Sequence, residues 1–192
     1  RVSDEELLNH YPRKIDVSET ALEDSSSLKL NRNSSICNRH DEQVRASLCN
    51  EILSEPGFPS LIISECNTCT IYLDIPLAAL YVHEVVNCEI IFEAVQSSVN
   101  VVKSTQCSFS GYCSQMRITD SKGITVKVQT NSSTALAQCQ DIRIGRPPEP
   151  NIDILTKLNL NQPTYLYSEK WKQVNDFDCL SGKSICWSYT TE

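Results

Sequence analysis

The middle of the chain alternates apolar and polar residues in short runs, and the runs recur. Cys69-Thr-Ile71-Tyr-Leu73, Cys88-Glu-Ile90-Ile-Phe92 and Cys107-Ser-Phe109 open at one constant step. Half a period later come Leu80-Tyr-Val82, Val99-Asn-Val101, Met116-Arg-Ile118 and Thr134-Ala135-Leu136, again at nearly that step. Ile124-Thr-Val126-Lys-Val128 and Ile142-Arg-Ile144 continue the series. Alternation with period two over so few residues predicts strands, and Val, Ile and Phe suit a pleated, half-buried surface. The gaps are too short for the helical crossovers of an ordinary parallel sheet. A repeat made only of strands and turns therefore predicts a parallel β-helix with coils of about 19 residues, each stacking like side chains on like. An antiparallel sandwich also recurs at short intervals, but it gives cysteine no reason to return at a constant offset.

The ends differ from this pattern. Residues 1–35 are polar and read as a short helix followed by a loop. From Asp41 to Leu53 the apolar Val44, Leu48 and Ile52 recur every four residues, which predicts a helix with Asp41 as N-cap and Glu55-Pro56-Gly57 as its stop. Arg146-Pro147-Pro148-Glu149-Pro150 is a stiff linker. The expected division is thus a partly helical or flexible segment over 1–55 and a β-helix domain over 56–192, with a tail from about 146. The 41–53 helix would cover one end of the coils, and the tail with Trp171 and Trp187 would pack on a side face.

A net charge of −7 and a pI near 5.0 argue against nucleic acid as a partner. The ten cysteines raise the question of compartment. Asn33-Ser-Ser and Asn131-Ser-Ser are glycosylation triplets and fit a secreted, disulfide-bonded chain. The offset of Cys69, Cys88 and Cys107 instead points to small apolar side chains inside the coils, in a reduced protein. Cys66 and Cys69 have the spacing of half a zinc site, but a second close pair is missing. The three histidines, His10, His40 and His83, lie in separate segments without a nucleophile beside them. No phosphate-cradling glycine motif is present, so the chain itself is not expected to bind a nucleotide.

Specific chemistry first arises at Gln115-Met-Arg117-Ile-Thr119. Alternation turns Met116 and Ile118 inward and Gln115, Arg117 and Thr119 outward. Half-period counting puts Arg117 in a column with Tyr81, Asn100 and Thr134, none of them acidic, so its guanidinium is available to a partner.

The run Cys113-Ser-Gln115-Met-Arg117-Ile-Thr-Asp, with Ile124-Thr-Val-Lys-Val128 and Ala137-Gln-Cys-Gln-Asp-Ile142-Arg-Ile-Gly145, resembles the C-terminal domain of the tubulin-folding cofactor C family. That family is shared with the retinitis pigmentosa protein and cyclase-associated proteins. The tail, Trp171-Lys-Gln-Val174-Asn-Asp176-Phe177 and then Trp187-Ser188, is similar to the family's closing pattern, so the resemblance covers roughly Ser60 to Ser188. It implies a right-handed parallel β-helix acting as a cytoplasmic, cytoskeleton-associated GTPase activator that works in trans and needs no cofactor of its own. The family's catalytic arginine falls on Arg117. Gln115 would help seat the GTPase, Thr119 shares their face, and Phe177 would pack beside the arginine. The implied partners are β-tubulin with tubulin cofactors D and E. The alternatives are an Arf-like small GTPase, as for the retinitis pigmentosa protein, and a non-catalytic scaffold role. The chain begins at Arg1 without a Met-Gly acylation signal, so no membrane anchor is expected. Relatives carry a glutamate shortly before the final strand that orients the arginine. Here Ala137-Gln138 stands in its place, with Gln138 as a neutral substitute. Docking on an acidic partner would require a basic face around Arg117, for which Lys103, Lys122, Lys127 and Arg143 are candidates.

Overall fold

The computed structural model describes residues 27–30, 33–48, 57–160, 162, 166, 168–179 and 185–190. Among them the strands follow in the order β1 (Ser27–Leu30), β2 (Asn33–Cys37), β3 (Gln43–Leu48), β4 (Ser60–Ser64), β5 (Thr70–Leu77), β6 (Ala79–His83), β7 (Glu89–Val102), β8 (Ser108–Thr119), β9 (Thr125–Thr130), β10 (Thr134–Ala137), β11 (Ile142–Ile144), β12 (Val174–Asp176) and β13 (Trp187–Tyr189). Every pairing between them is parallel. The result is a β-solenoid whose coils have about the length that the repeat predicts.

The coils present two ladders of strands. One runs β1-β3-β5-β7-β8-β9-β11-β13 and the other β2-β4-β6-β7-β8-β10-β12, with the long β7 and β8 bending from the first ladder into the second. Parallel register stacks equivalent residues about 4.8 Å apart. The interior is therefore built of columns such as Val44-Ile71-Ile90-Phe109-Val126-Ile144 and Ile36-Ile63-Val82-Val101-Ile118-Leu136, all nearly inaccessible. Burying these aliphatic columns is the main stabilising term, at about 25 cal/mol per Å² of apolar surface.

The corner between the ladders is equally regular. A one-residue ladder, His40-Asn67-Val86-Thr105-Lys122-Gln140, marks each coil. It is flanked by two columns of left-handed backbone, Asn38-Glu65-Glu84-Lys103-Asp120-Gln138 and Asp41-Thr68-Asn87-Gln106-Gly123-Asp141. Cys69, Cys88 and Cys107 follow the second column and point inward, where they are 2–3% exposed. All nine described cysteines are free thiols. Burial pushes the Cys66 thiol up to about 12 and raises those of Cys69, Cys113 and Cys139 as well.

The third side of the coils is closed by the tail. The linker Arg146–Pro150 runs past Tyr112, whose hydroxyl donates to the Pro148 carbonyl at 2.6 Å. Helix α1 (Ile152–Lys157) then sets Leu155, with Leu158 and Leu160, against Ala94 and Tyr112. Asn151 caps α1, accepting from the Ile154 N–H at 3.4 Å. No helix of the described residues is long and apolar enough to cross a membrane.

The upstream expectation needs correction. Gln43–Leu48 is strand β3, paired with β5, and Asp41 is a left-handed corner residue (φ 54) rather than a helix cap. Val44 and Ala46 are both buried and Arg45 exposed, so the operative period is two. The loop expected up to residue 35 contains β1 and the start of β2. The helix expected nearer the N-terminus lies outside the described residues, as does the Glu55-Pro56 part of the stop.

Candidate functional site

The second half of β8 carries the site because its alternation is strict. Met116 and Ile118 fill the core at 1% and 0% exposure, which fixes Gln115, Arg117 and Thr119 on the outer face of the second ladder, with Gln115 and Arg117 exposed. In β7, Ser98, Asn100 and Val102 lie in register with Gln115, Arg117 and Thr119. On the other side, in β10, Ala135 is opposite Arg117 and Ala137 opposite Thr119. Thr134, expected in the arginine's column, is instead 1% exposed and pairs with Val174.

Ala135 and Ala137 are small, so the face drops away on that side of Arg117. Among the described residues the Arg117 guanidinium has no ion pair and no hydrogen bond. It is an always-charged, planar fork with five donors on a rigid sheet, and its nearest outward neighbours, Asn100, Ala135, Ser98, Val102 and Ala137, include no carboxylate. Such a group can place positive charge on an incoming anion without first breaking a salt bridge.

Phe177 reaches the same face through the tail. β12 pairs with β10, setting Asn175 opposite Ala135 and Asp176 opposite Leu136. The Phe177 N–H then donates to the Leu136 carbonyl at 3.0 Å. Register continues the column Thr119-Ala137 into Phe177, whose side chain is 55% exposed. Phe177 thus stands two rungs from Thr119, about 10 Å at the rung spacing.

What presents Phe177 is Asp176, to which the sequence pattern assigns no role. It ends the apolar column that begins at Ile36, and it is buried. Its Oδ1 accepts from the N–H groups of Asp178 (3.0 Å) and Cys179 (3.2 Å), and its Oδ2 from that of Cys186 (3.2 Å). Burial pushes this carboxyl up, but the donated N–H groups outweigh it and hold the group below its ordinary value. The available signal was an acid at an inward position of a strand-like phrase, which only several donors can satisfy.

Gln138 is placed differently from the expectation that it substitutes for an acid at Arg117. It follows Ala137 at the left-handed corner (φ 56), its N–H donates to the Asp178 carboxylate, and it lines an open pocket with Cys139, Asp141 and Asp178. No hydrogen bond joins it to Arg117. The expected basic face is also dispersed. Lys103 and Lys122 sit at the corner. Lys127 and Arg143 belong to β9 and β11 of the first ladder, where Arg143 faces Asp141 at 3.5 Å.

Of the histidines, His40 is a corner residue and His83 stacks on Tyr81, with ring centroids 6.2 Å apart. His10 lies outside the described residues. Cys66 and Cys69 spend their S–H groups on backbone carbonyls. Among the described residues no group of three or more His, Cys, Asp or Glu could hold a metal ion.

No curated protein sequence matches the chain. The family model for tubulin binding cofactor C matches residues 59–177. That interval is more than half of the chain; it holds β4 through β12 and ends on Phe177, so it takes in Gln115, Arg117, Thr119 and Gln138. With the stacked coils, the outward Gln115–Arg117 pair and the tail folded back beside them, the match shows that the chain belongs to the tubulin binding cofactor C family.

Proposed function

We propose that this protein is a cofactor C-like GTPase-activating protein that acts on β-tubulin, together with tubulin cofactors D and E, during assembly of the tubulin heterodimer in the cytoplasm. Arg117 is the catalytic group. It enters the partner's nucleotide site and stabilises the charge that builds on the transferring γ-phosphoryl oxygens. An arginine supplied in trans is worth about 10³–10⁵ in kcat, or roughly 4–7 kcal/mol at 1.36 kcal/mol per decade. The chemistry stays in the partner's site, so this chain contributes an electrostatic group and a docking face.

The observation that carries the reading is the exposed Arg117, without an ion pair among the described residues, on the outer face of a rigid ladder inside the family match. Rigidity matters because Met116 and Ile118 anchor the backbone of β8 in the core, so the strand that carries Arg117 need not be ordered when the partner docks. Gln115 and Thr119, on the same strand and face, seat the GTPase, and Phe177 supplies an apolar anchor at the edge. Gln138, at the corner, takes a peripheral contact.

The test is single-turnover hydrolysis of GTP by tubulin in the presence of cofactors D and E, with wild type and Arg117→Ala. A parallel reaction with an Arf-like small GTPase identifies that alternative partner if only it responds. The wild type is expected to exceed Arg117→Ala by at least a hundredfold with binding retained. Equal rates with intact binding would replace the arginine finger by a scaffold role.

A further inference from the structure

Among the described residues the proposed arginine finger lacks an acidic neighbour in register, yet a long side chain needs an acceptor to hold its guanidinium in one orientation. Arg117 has two register neighbours, Ala135 and Asn100. Ala135 offers no polar atom. Asn100 lies one rung away, about 4.8 Å along the ladder, outward and half-buried on the rigid part of β7.

Its amide is already oriented. The Asn100 Nδ2 donates to the Ser98 Oγ at 3.0 Å, along its own strand. That contact fixes the amide plane and leaves the Oδ1 carbonyl oxygen without a hydrogen bond among the described residues. A guanidinium has only donors and a carbonyl oxygen only accepts, so the two groups are complementary. Ser98 is itself in register with Gln115, so the four side chains form a two-by-two block in which one pair braces the other.

We infer that Asn100 is the positioning residue of Arg117: in the docked complex its Oδ1 accepts a hydrogen bond from the guanidinium and turns the remaining donors toward the phosphate. This inference rests on the arginine role proposed above. A hydrogen bond to a charged group is stronger than a neutral one, and it strengthens further where docking excludes water.

The experiment uses the full chain in the single-turnover assay with GTP-loaded tubulin and cofactors D and E, and with a GTP-loaded Arf-like GTPase. The variants are Asn100→Ala, Asn100→Leu, Asn100→Asp, Ser98→Ala and Arg117→Ala. The expected result is a rate at saturation about 10–100-fold lower for Asn100→Ala and Asn100→Leu, the size of a lost hydrogen bond to a charged group, with the half-saturating concentration unchanged. Asn100→Asp, which keeps an acceptor, should restore most of the rate, and Ser98→Ala should show a smaller loss. In the Arg117→Ala background, Asn100→Ala should have no further effect. A severe Arg117→Ala defect with Asn100→Ala at the wild-type rate would overturn the positioning role alone. A silent Arg117→Ala would remove the arginine reading and this inference together. Should Asn100→Ala raise the half-saturating concentration at constant rate, the residue would be a docking contact instead.

Discussion

Ala137 stands in register with Thr119 across β10 and β8, its side chain on the face that carries Arg117. The family resemblance implies a carboxylate at Ala137-Gln138, where the chain has a methyl group followed by a neutral amide. A glutamate in place of Ala137 would lie diagonal to Arg117 and could accept from it. Ala137→Glu is expected to raise the single-turnover rate about 3–10-fold, the modest gain of a better-oriented group already in place, and to do nothing in the Arg117→Ala background. Because Ala137 is only half-buried, folding stability should move by no more than about 0.5 kcal/mol. A rate equal to wild type in a folded Ala137→Glu protein would show that the site needs no acid.

Gly111 and Gly123 both have positive φ, but their surroundings differ. A Cβ on residue 111 would come within 2.0 Å of the Phe92 carbonyl oxygen, a backbone atom of the rung beside it, at φ +146. Residue 123 (φ +66) would meet only the end of the Gln106 side chain, and the same corner column elsewhere holds Asp41, Thr68, Asn87 and Asp141. Gly111→Ala should therefore cost about 3–5 kcal/mol, from strain and overpacking together, and lower Tm by roughly 10 °C. Gly123→Asn should cost no more than about 1 kcal/mol, since asparagine tolerates this conformation. Thermal unfolding of the two variants side by side decides the matter, and comparable losses would contradict the account.

The solenoid is legible because its signal is local and repeated. Cys69, Cys88 and Cys107, returning at one constant offset, mark the interior, and alternation alone turns Arg117 outward. The departures have physical causes. Val44, Leu48 and Ile52 imitate a helical face because the inward residue between the first two, Ala46, is small and only weakly apolar. Counting at half a period misplaces Thr134 because the coils are not all of one length: Asn100 to Arg117 is a shorter step than Arg117 to Ala135, so carrying the shorter step onward falls one residue short. In a strand, one residue exchanges inside for outside. The role of Asp176 could not be counted at all, since it depends on β12 returning to pair with β10 across the α1 tail, a contact with no period.

The thiols test the compartment question directly. Complete unfolding should expose about ten free thiols, the nine described cysteines among them, so two or more missing from quantitative titration would revive the disulfide reading. In the native protein Cys179, the exposed one among them, should be alkylated first, as peptide mapping would show. Cys66 should remain slow even at pH 9, because burial raises its thiol to about 12 and the thiolate is the reactive form. Early labelling of Cys66 or Cys113 would mean that the coils open far more readily than their packing implies.

Asp176 gives the tail a pH dependence of defined sign. Its carboxyl is held below the ordinary aspartate value of 3.8 in the folded protein, so the unfolded chain binds the proton more tightly. Stability from this group is therefore complete above that value and is lost as pH falls through the lower folded one. Asp176→Asn keeps the shape but removes the charge and turns a donor toward the Cys186 N–H or its neighbours. It should cost about 1–3 kcal/mol at pH 7, as for a buried donor left unpaired, and should weaken GTPase activation by loosening Phe177. In denaturant titrations the gap between wild type and Asp176→Asn should be constant from pH 8 to 5 and shrink below about pH 4, near the unfolded aspartate value. A gap that stayed undiminished at pH 2, with both proteins still folded, would assign the loss to packing. Phe177 would then owe its position to the β10–β12 pairing rather than to the ionised carboxylate beside it.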